Sequence, residues 1–159
     1  MGTDPFEEQF QKAVFLTNKG SYREALPVFR EILEMAKAEG RNGADLVQYQ
    51  SYYALCMTMV FGPSREAIRL CERAVSKEFY NPDMYYNLGI VYMRCRKKGP
   101  AFRVLKRGLG LKTNHRRIKN ALDKFDMRKK VLFKFLSRRH PINRWFGKLR
   151  HQMKEEEAY

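Results

Sequence analysis

The chain has 159 residues, of which 44% are hydrophobic and 13% aromatic, which supplies enough apolar surface for one buried core and too much for a disordered chain. No apolar run reaches the roughly 18 residues that a membrane-spanning helix needs, and the first residues lack the basic and apolar regions of a secretory signal. The net charge of +15 is uneven, because residues 1–93 carry 10 basic and 12 acidic side chains while residues 94–154 carry 22 and 2. This asymmetry points to an acidic or anionic partner for the second half.

The first predicted element is a pair of helices over residues 6–39. Apolar residues recur at helical spacing on both sides of Gly20, which separates the two helices. Ser21 and Glu24 form the S-x-x-E pattern of a capping box, which predicts that the second helix begins after Ser21. The apolar positions of this pair are Ala13, Leu16, Tyr22, Ala25, Phe29 and Ile32.

Two further helix pairs are predicted over residues 49–81 and 82–115. Asn81 is a favourable N-cap and Pro82 suits a first helical turn, and Gly99-Pro100 separates the two helices of the third pair. The two segments place similar residues in near register: Tyr52, Leu55, Cys56, Met59, Ala67, Cys71 and Ala74 in one, and Tyr85, Leu88, Gly89, Tyr92, Ala101, Leu105 and Gly108 in the other.

This shared pattern resembles the tetratricopeptide repeat (TPR), a helix–turn–helix unit with the signature aromatic-x2-Leu-Gly-x2-Tyr followed by spaced alanines and an aromatic residue. The resemblance runs from residue 5 to about 115. It implies a right-handed superhelical array in which small residues let two antiparallel helices approach closely and large residues fill the seam to the next pair.

The helix predicted over residues 116–128 has Ile118, Leu122 and Phe125 on one side, and we expect it to cover the apolar face of the last pair. The predicted fold is therefore all-α. It comprises a TPR domain over 5–128, with repeats at about 6–39, 49–81 and 82–115 and a cap at 116–128, and then a basic amphipathic extension over 129–159, which includes a short helix.

The resemblance also implies a binding groove, because in this family the first helix of each pair lines a concave surface that takes an extended peptide or a helix. Asn87 matches an Asn that the family often uses to hold a ligand backbone. Phe10 and Val14 stand where the chaperone-binding subclass has its Lys/Asn clamp, so that clamp is absent. The groove positions so implied are Phe10, Gln11, Val14, Tyr53, Met57, Phe61, Tyr86, Asn87, Ile90 and Arg94. An alternative is that the protein's own C-terminal segment fills this groove.

The C-terminal extension interleaves apolar and basic residues, and three interpretations of it remain open. Its helix docks on the repeats with its charges solvated, or it lies on an anionic membrane surface, or its basic side chains contact nucleic-acid phosphates while its aromatic residues stack. The residues of this predicted basic surface are Lys129, Lys130, Lys134, Arg138, Arg139, Arg144, Trp145, Phe146, Lys148 and Arg150.

No motif for catalysis, cofactor binding or metal binding is present. His115, His140 and His151 are far apart in the sequence, and we expect each to be a solvated surface residue. The three cysteines form no CxxC pair, which favours free thiols in a reducing compartment and predicts a cytoplasmic protein.

These features predict a non-catalytic adaptor that binds a protein or peptide in its groove, while its cationic half engages an acidic partner or surface. No cofactor and no small-molecule substrate is expected. The arrangement is similar to that of bacterial secretion chaperones with three such repeats, which suggests a bacterial protein. The alternative function is that of a peripheral membrane- or RNA-binding protein that uses the basic C-terminus.

Overall fold

The computed structural model describes residues 5–41 and 44–128, and these residues form seven α-helices and no strand. The helices are α1 (Pro5–Lys19), α2 (Tyr22–Ala38), α3 (Ala44–Phe61), α4 (Arg65–Lys77), α5 (Pro82–Arg94), α6 (Lys98–Leu111) and α7 (Arg116–Arg128). The prediction of an all-α helical repeat is confirmed. The chain divides into two compact units, Met1–Asp123 and Lys124–Tyr159, and the helices that pack together below belong to the first.

Consecutive helices pack against each other in chain order from α1 to α6, so that α1–α2, α3–α4 and α5–α6 are helical hairpins. The first helices of neighbouring hairpins also contact each other, since α3 touches both α1 and α5. Helix α3 begins at Ala44, ahead of the repeat boundary predicted at residue 49. Val47 and Tyr49 are buried, and this added apolar surface extends the helix upstream.

The helix start predicted at Asn81 is capped as its sequence indicates, and the structure adds a second cap at Ser64. Asn81 Oδ1 accepts the backbone N–H of Asp83 at 3.1 Å, with Pro82 at the first helical position. Ser64 Oγ accepts the N–H of Glu66 at 3.1 Å and that of Ala67 at 3.4 Å.

The capping box predicted at Ser21 is wrong, because its side chain makes no capping hydrogen bond. Ser21 has φ −75° and ψ 56°, whereas Ser64 has the extended conformation, at φ −139° and ψ 139°, which brings an N-cap hydroxyl onto the free N–H groups. The backbone carbonyl of Ser21 accepts the N–H groups of Glu24 and Ala25, as the carbonyl of Ser64 accepts that of Ile68.

Two glycines allow the third hairpin and its neighbours to pack closely. A Cβ added at Gly89 would lie 2.5 Å from Leu105 Cδ2, which belongs to the second helix of the same hairpin. A Cβ at Gly108 would lie 2.6 Å from Tyr85 Cβ and 2.9 Å from Ile118 Cδ1. Both glycines therefore serve helix packing, as the repeat pattern predicts.

His115 is buried, at 9% exposure, so the expectation that it is a solvated surface residue is wrong. Its Nδ1 accepts the backbone N–H of Ile118 at 3.3 Å, which satisfies a free donor at the start of α7. Its Nε2 lies 3.2 Å from Asp83 Oδ1. The other two histidines lie in 129–159, outside the described residues.

Candidate peptide-binding groove

The candidate groove is formed by the solvent-facing sides of α1, α3 and α5, with the start of α7 at one end. On α3, the predicted residues Tyr53, Met57 and Phe61 are spaced four apart and therefore share one face of the helix. Tyr53 and Met57 are half-buried, and Phe61 is 71% exposed. This face thus presents a row of large apolar side chains that stays accessible to solvent.

On α5, the predicted residues Tyr86, Ile90 and Arg94 have the same spacing. Tyr86 and Ile90 are half-buried and pack against the group of buried residues that includes Leu88 and Val91, and Met57 of α3 packs against that same group. The apolar rows of α3 and α5 therefore meet. Arg94, at the end of α5, is exposed.

On α1, the predicted residue Gln11 is exposed and donates a hydrogen bond from Nε2 to Glu7 Oε1 at 2.6 Å. Val14 is half-buried against the buried group that includes Phe10 and Phe29, as are Tyr53 and Met57. Of these predicted residues, helix α1 thus contributes one exposed amide and one half-buried apolar side chain to the candidate groove.

Phe10 and Asn87 are buried and do not face the groove. The Phe10 ring lies among three aromatic rings, 4.7 Å from Tyr49, 5.6 Å from Tyr52 and 6.0 Å from Phe29. Asn87 Nδ2 donates to Ser51 Oγ at 3.2 Å. Both side chains point into the packing between neighbouring first helices, so we leave them out of the candidate binding surface.

The structure adds a polar cluster at one end of the groove that the sequence analysis did not single out. Asp83 Oδ1 lies 3.2 Å from Nε2 of His115 and 3.2 Å from the guanidinium of Arg117. The Arg117 guanidinium also lies over the Tyr86 ring, 4.0 Å from its centroid. Asp83 and Arg117 are 34 residues apart, which is one repeat length. The repeat period was therefore the sequence signal that could have predicted corresponding positions for them on α5 and α7.

The packing of the repeats raises the pKa of two tyrosine hydroxyls, those of Tyr52 and Tyr22. Burial, chiefly, and the nearby Asp83 carboxylate raise the pKa of Tyr52 to about 12, against the opposing effect of Arg117. Burial also raises the pKa of Tyr22, with a contribution from Tyr86. Both hydroxyls therefore stay protonated to a higher pH than a solvent-exposed tyrosine does.

In the described part of the chain, no three His, Cys, Asp or Glu side chains are grouped so that they could hold a metal ion. Burial raises the pKa of the Cys56 thiol to about 11 and that of Cys71 to about 12, so neither is a thiolate at neutral pH.

Within residues 5–41 and 44–128, no helix has both the length and the apolar character to cross a bilayer. All ten residues of the predicted basic surface, from Lys129 to Arg150, lie outside the described residues.

The fold has a counterpart among solved structures. The crystal structure of the TPR domain of P58(IPK) superposes with a TM-score of 0.58 and 18% sequence identity, over 79% of this chain and 35% of that chain. The matched region is thus about a third of that chain's length. No protein-family model and no curated protein sequence matches this chain. The helical hairpins, their order and this likeness together show that the chain has the fold of a tetratricopeptide-like repeat protein.

Proposed function

We propose that this protein is a non-catalytic adaptor that binds an extended peptide or a helix of a protein partner along α1, α3 and α5. The observation that carries the proposal is the row Tyr53, Met57 and Phe61, because large apolar side chains left open to solvent on one helix face are typical of a binding surface. Anchors spaced at i and i+4 suit a partner held by burial of its side chains.

The proposed partner segment combines apolar anchors with acidic residues. Arg94 is exposed at one end of the α5 row, whereas Arg117, at the other end beside Tyr86, is already paired with Asp83. A segment with acidic residues beyond the Arg94 end of its apolar anchors matches this arrangement of charges. Three free cysteines suit a reducing compartment, so the proposed location is the cytoplasm.

The test is site-specific photo-crosslinking in cells, with the photoreactive residue at position 61 and, as a matched control, at position 79. Phe79 is also an exposed aromatic residue, at 62%, but it lies between α4 and α5, away from the row on α3. We expect a discrete crosslinked protein from position 61 and none from position 79.

Capture by the purified protein gives a second readout of the same proposal. The Phe61→Ser variant should lose the crosslinked partner, and the Phe79→Ser variant should retain it, since each replaces an exposed ring without opening the core. Equal capture by Phe61→Ser and wild type would mean that the partner binds elsewhere.

A second candidate function, binding to RNA or to an anionic membrane, is favoured by one observation. Ten lysines and arginines between Arg94 and Lys119 are exposed, and residues 94–122 contain no Asp or Glu. If RNA is the ligand, the logarithm of its affinity falls linearly with the logarithm of the salt concentration, and nuclease removes the captured material. Co-sedimentation with anionic but not neutral vesicles would instead identify a membrane surface.

A further inference from the structure

A surface cleft lies where the second helical hairpin meets the third. Its volume is about 370 Å³. It is formed by the turn that begins α4 and by the turn that follows α5. Its lining residues are Pro63, Ser64, Arg65, Ile68, Arg94, Cys95, Arg96 and Lys97.

The cleft concentrates positive charge without compensation. Four of its eight lining residues are cationic, namely Arg65, Arg94, Arg96 and Lys97, and all four are exposed. No carboxylate lines the cleft, and none of the four forms an ion pair with a residue in the described part of the chain. Like charges gathered in one concave site repel one another unless an anion occupies it.

The equivalent cleft at the preceding junction shows that the fold does not require these charges. It lies where the first hairpin meets the second, has a volume of about 350 Å³, and is built from the corresponding turn and helix end. Its lining includes Arg23 and also Glu24, together with Gly20, Ser21, Tyr22, Met59 and Val60. One cation and one carboxylate there contrast with four cations at the second junction.

Arg96 provides a second internal comparison. The backbone is left-handed at the turn after the first helix of each hairpin, at Gly20 (φ +87°), Gly62 (φ +100°) and Arg96 (φ +60°). Glycine adopts this conformation without steric cost, whereas a residue with a Cβ pays of order 1 kcal/mol. The third hairpin thus has an arginine where the other two have glycine, and this arginine lines the cleft. An unfavourable backbone held at such a place points to a function for the side chain.

We propose that this cleft binds a phosphate monoester carried by a phosphorylated side chain of a protein partner. Three guanidinium groups present paired donors that match phosphate oxygens, and an ammonium group adds a fourth charge. A phosphoserine or phosphothreonine brings about −1.5 to −2 charges and three acceptor oxygens to one point. A phosphate monoester is therefore more complementary in charge to a compact group of four cations than a single carboxylate is.

Arg94 is the reason for expecting the phosphate to be part of a protein partner. Only this part of the inference rests on the proposed function. Arg94 ends the Tyr86–Ile90–Arg94 row of the candidate groove and also lines the cleft. A segment lying along α5 therefore reaches the cleft with a residue just beyond its apolar anchors. Clusters of arginine at the edge of a peptide site are a recurrent means of reading phosphorylation.

The experiment is a titration of the full isotope-labelled chain by NMR at constant ionic strength. The probes are inorganic phosphate and three blocked Ala-rich pentapeptides with phosphoserine, glutamate or serine at the centre. We expect amide shifts confined to residues 64–68 and 94–97, with an affinity order of phosphoserine over glutamate over serine. Shifts of equal size at exposed lysines and arginines throughout the chain would overturn the proposal.

The Arg96→Gly variant separates binding from folding. Loss of one charge-assisted contact should weaken phosphoserine-peptide binding by about tenfold or more, while the melting temperature stays the same or rises, because glycine suits the left-handed turn. The Arg96→Asn variant should show the same loss of affinity, because asparagine is uncharged and also tolerates the left-handed backbone. The matched control Arg30→Gln removes an exposed charge from α2 and should leave the affinity unchanged. Unchanged affinity in both Arg96 variants would overturn the proposal.

Two further comparisons separate the sources of the phosphate and the two proposals. A single-stranded RNA that shifts the same amides with higher affinity than the phosphopeptide, at equal ionic strength, would assign the cleft to nucleic acid and overturn the protein source. The Phe61→Ser variant should keep wild-type affinity for inorganic phosphate and the phosphopeptide, since the cleft does not include Phe61. If the groove proposal fails, phosphate binding at the cleft should still be observed. If the cleft proposal fails, the crosslink from position 61 should still be observed.

Discussion

The effect of replacing a glycine in this fold depends on whether an added Cβ would meet a neighbouring atom. Gly108 and Gly110 sit two positions apart on α6, and both appear in the sequence as part of one Gly-Leu-Gly-Leu stretch. A Cβ at Gly108 would meet Tyr85 Cβ at 2.6 Å, whereas a Cβ at Gly110 would meet no atom within 4 Å. The repeat pattern includes Gly108 among its small residues, and the structure shows that Gly110 makes no such close contact.

We expect Gly108→Ala to destabilise the protein by about 1–3 kcal/mol, because Tyr85 Cβ is tied to the α5 backbone and cannot move aside cheaply. Gly110→Ala, the matched control on the same helix, should be neutral or stabilise by up to about 1 kcal/mol, since alanine favours a helix over glycine. Urea unfolding followed by circular dichroism measures both values. Equal effects of the two substitutions would show that α5 and α6 are not in close contact at Gly108.

At the scale of helices, the sequence predicted the hairpins well and their ends less well. Asn81-Pro82 and Ser64 mark the starts of α5 and α4, and the structure uses both as caps. Ser21 has the S-x-x-E pattern that Ser64 lacks, yet its backbone conformation differs and its hydroxyl caps nothing. The local sequence pattern predicts which side chains are able to cap a helix. The backbone conformation of the residue before the helix decides whether they do.

The two serines make a direct test of this difference. Ser64→Ala removes the acceptor for the N–H groups of Glu66 and Ala67 and should cost about 1 kcal/mol of unfolding free energy. Ser21→Ala removes no capping bond and should cost less than about half of that, within the range of ordinary surface substitutions. Chemical denaturation of the two variants under the same conditions provides the comparison, and an equal loss in both would contradict the capping difference.

At the scale of the whole molecule, the packing of hairpins buries groups that are able to ionise. Burial raises the pKa of Cys56 from its usual 9 to about 11, that of Cys71 from 9 to about 12, and that of Tyr52 from 10 to about 12. Each of these groups holds its proton more tightly in the folded than in the unfolded chain. Their contribution to stability is therefore complete below about pH 9 and is lost as the pH rises toward 12.

We expect the unfolding free energy to fall steadily between pH 9 and pH 12, with Tyr52 contributing about 2–3 kcal/mol of the loss. The Tyr52→Phe variant cannot ionise at this position, so its stability should fall less steeply over the interval from pH 10 to pH 12. Urea unfolding at a series of pH values measures both slopes, and parallel slopes for variant and wild type would contradict the assignment to Tyr52.

The sequence by itself determined the all-α hairpin repeat, because helical periodicity, small residues at contact positions and turn residues are local and recur at a fixed period. It also pointed to the apolar rows on α3 and α5. Only the tertiary structure decided that Phe10 and Asn87 are buried between helices, that Asp83 and Arg117 meet, and that four cations from two hairpins share one cleft. These facts depend on the angle and distance at which hairpins pack, which are set by contacts between residues far apart in the chain.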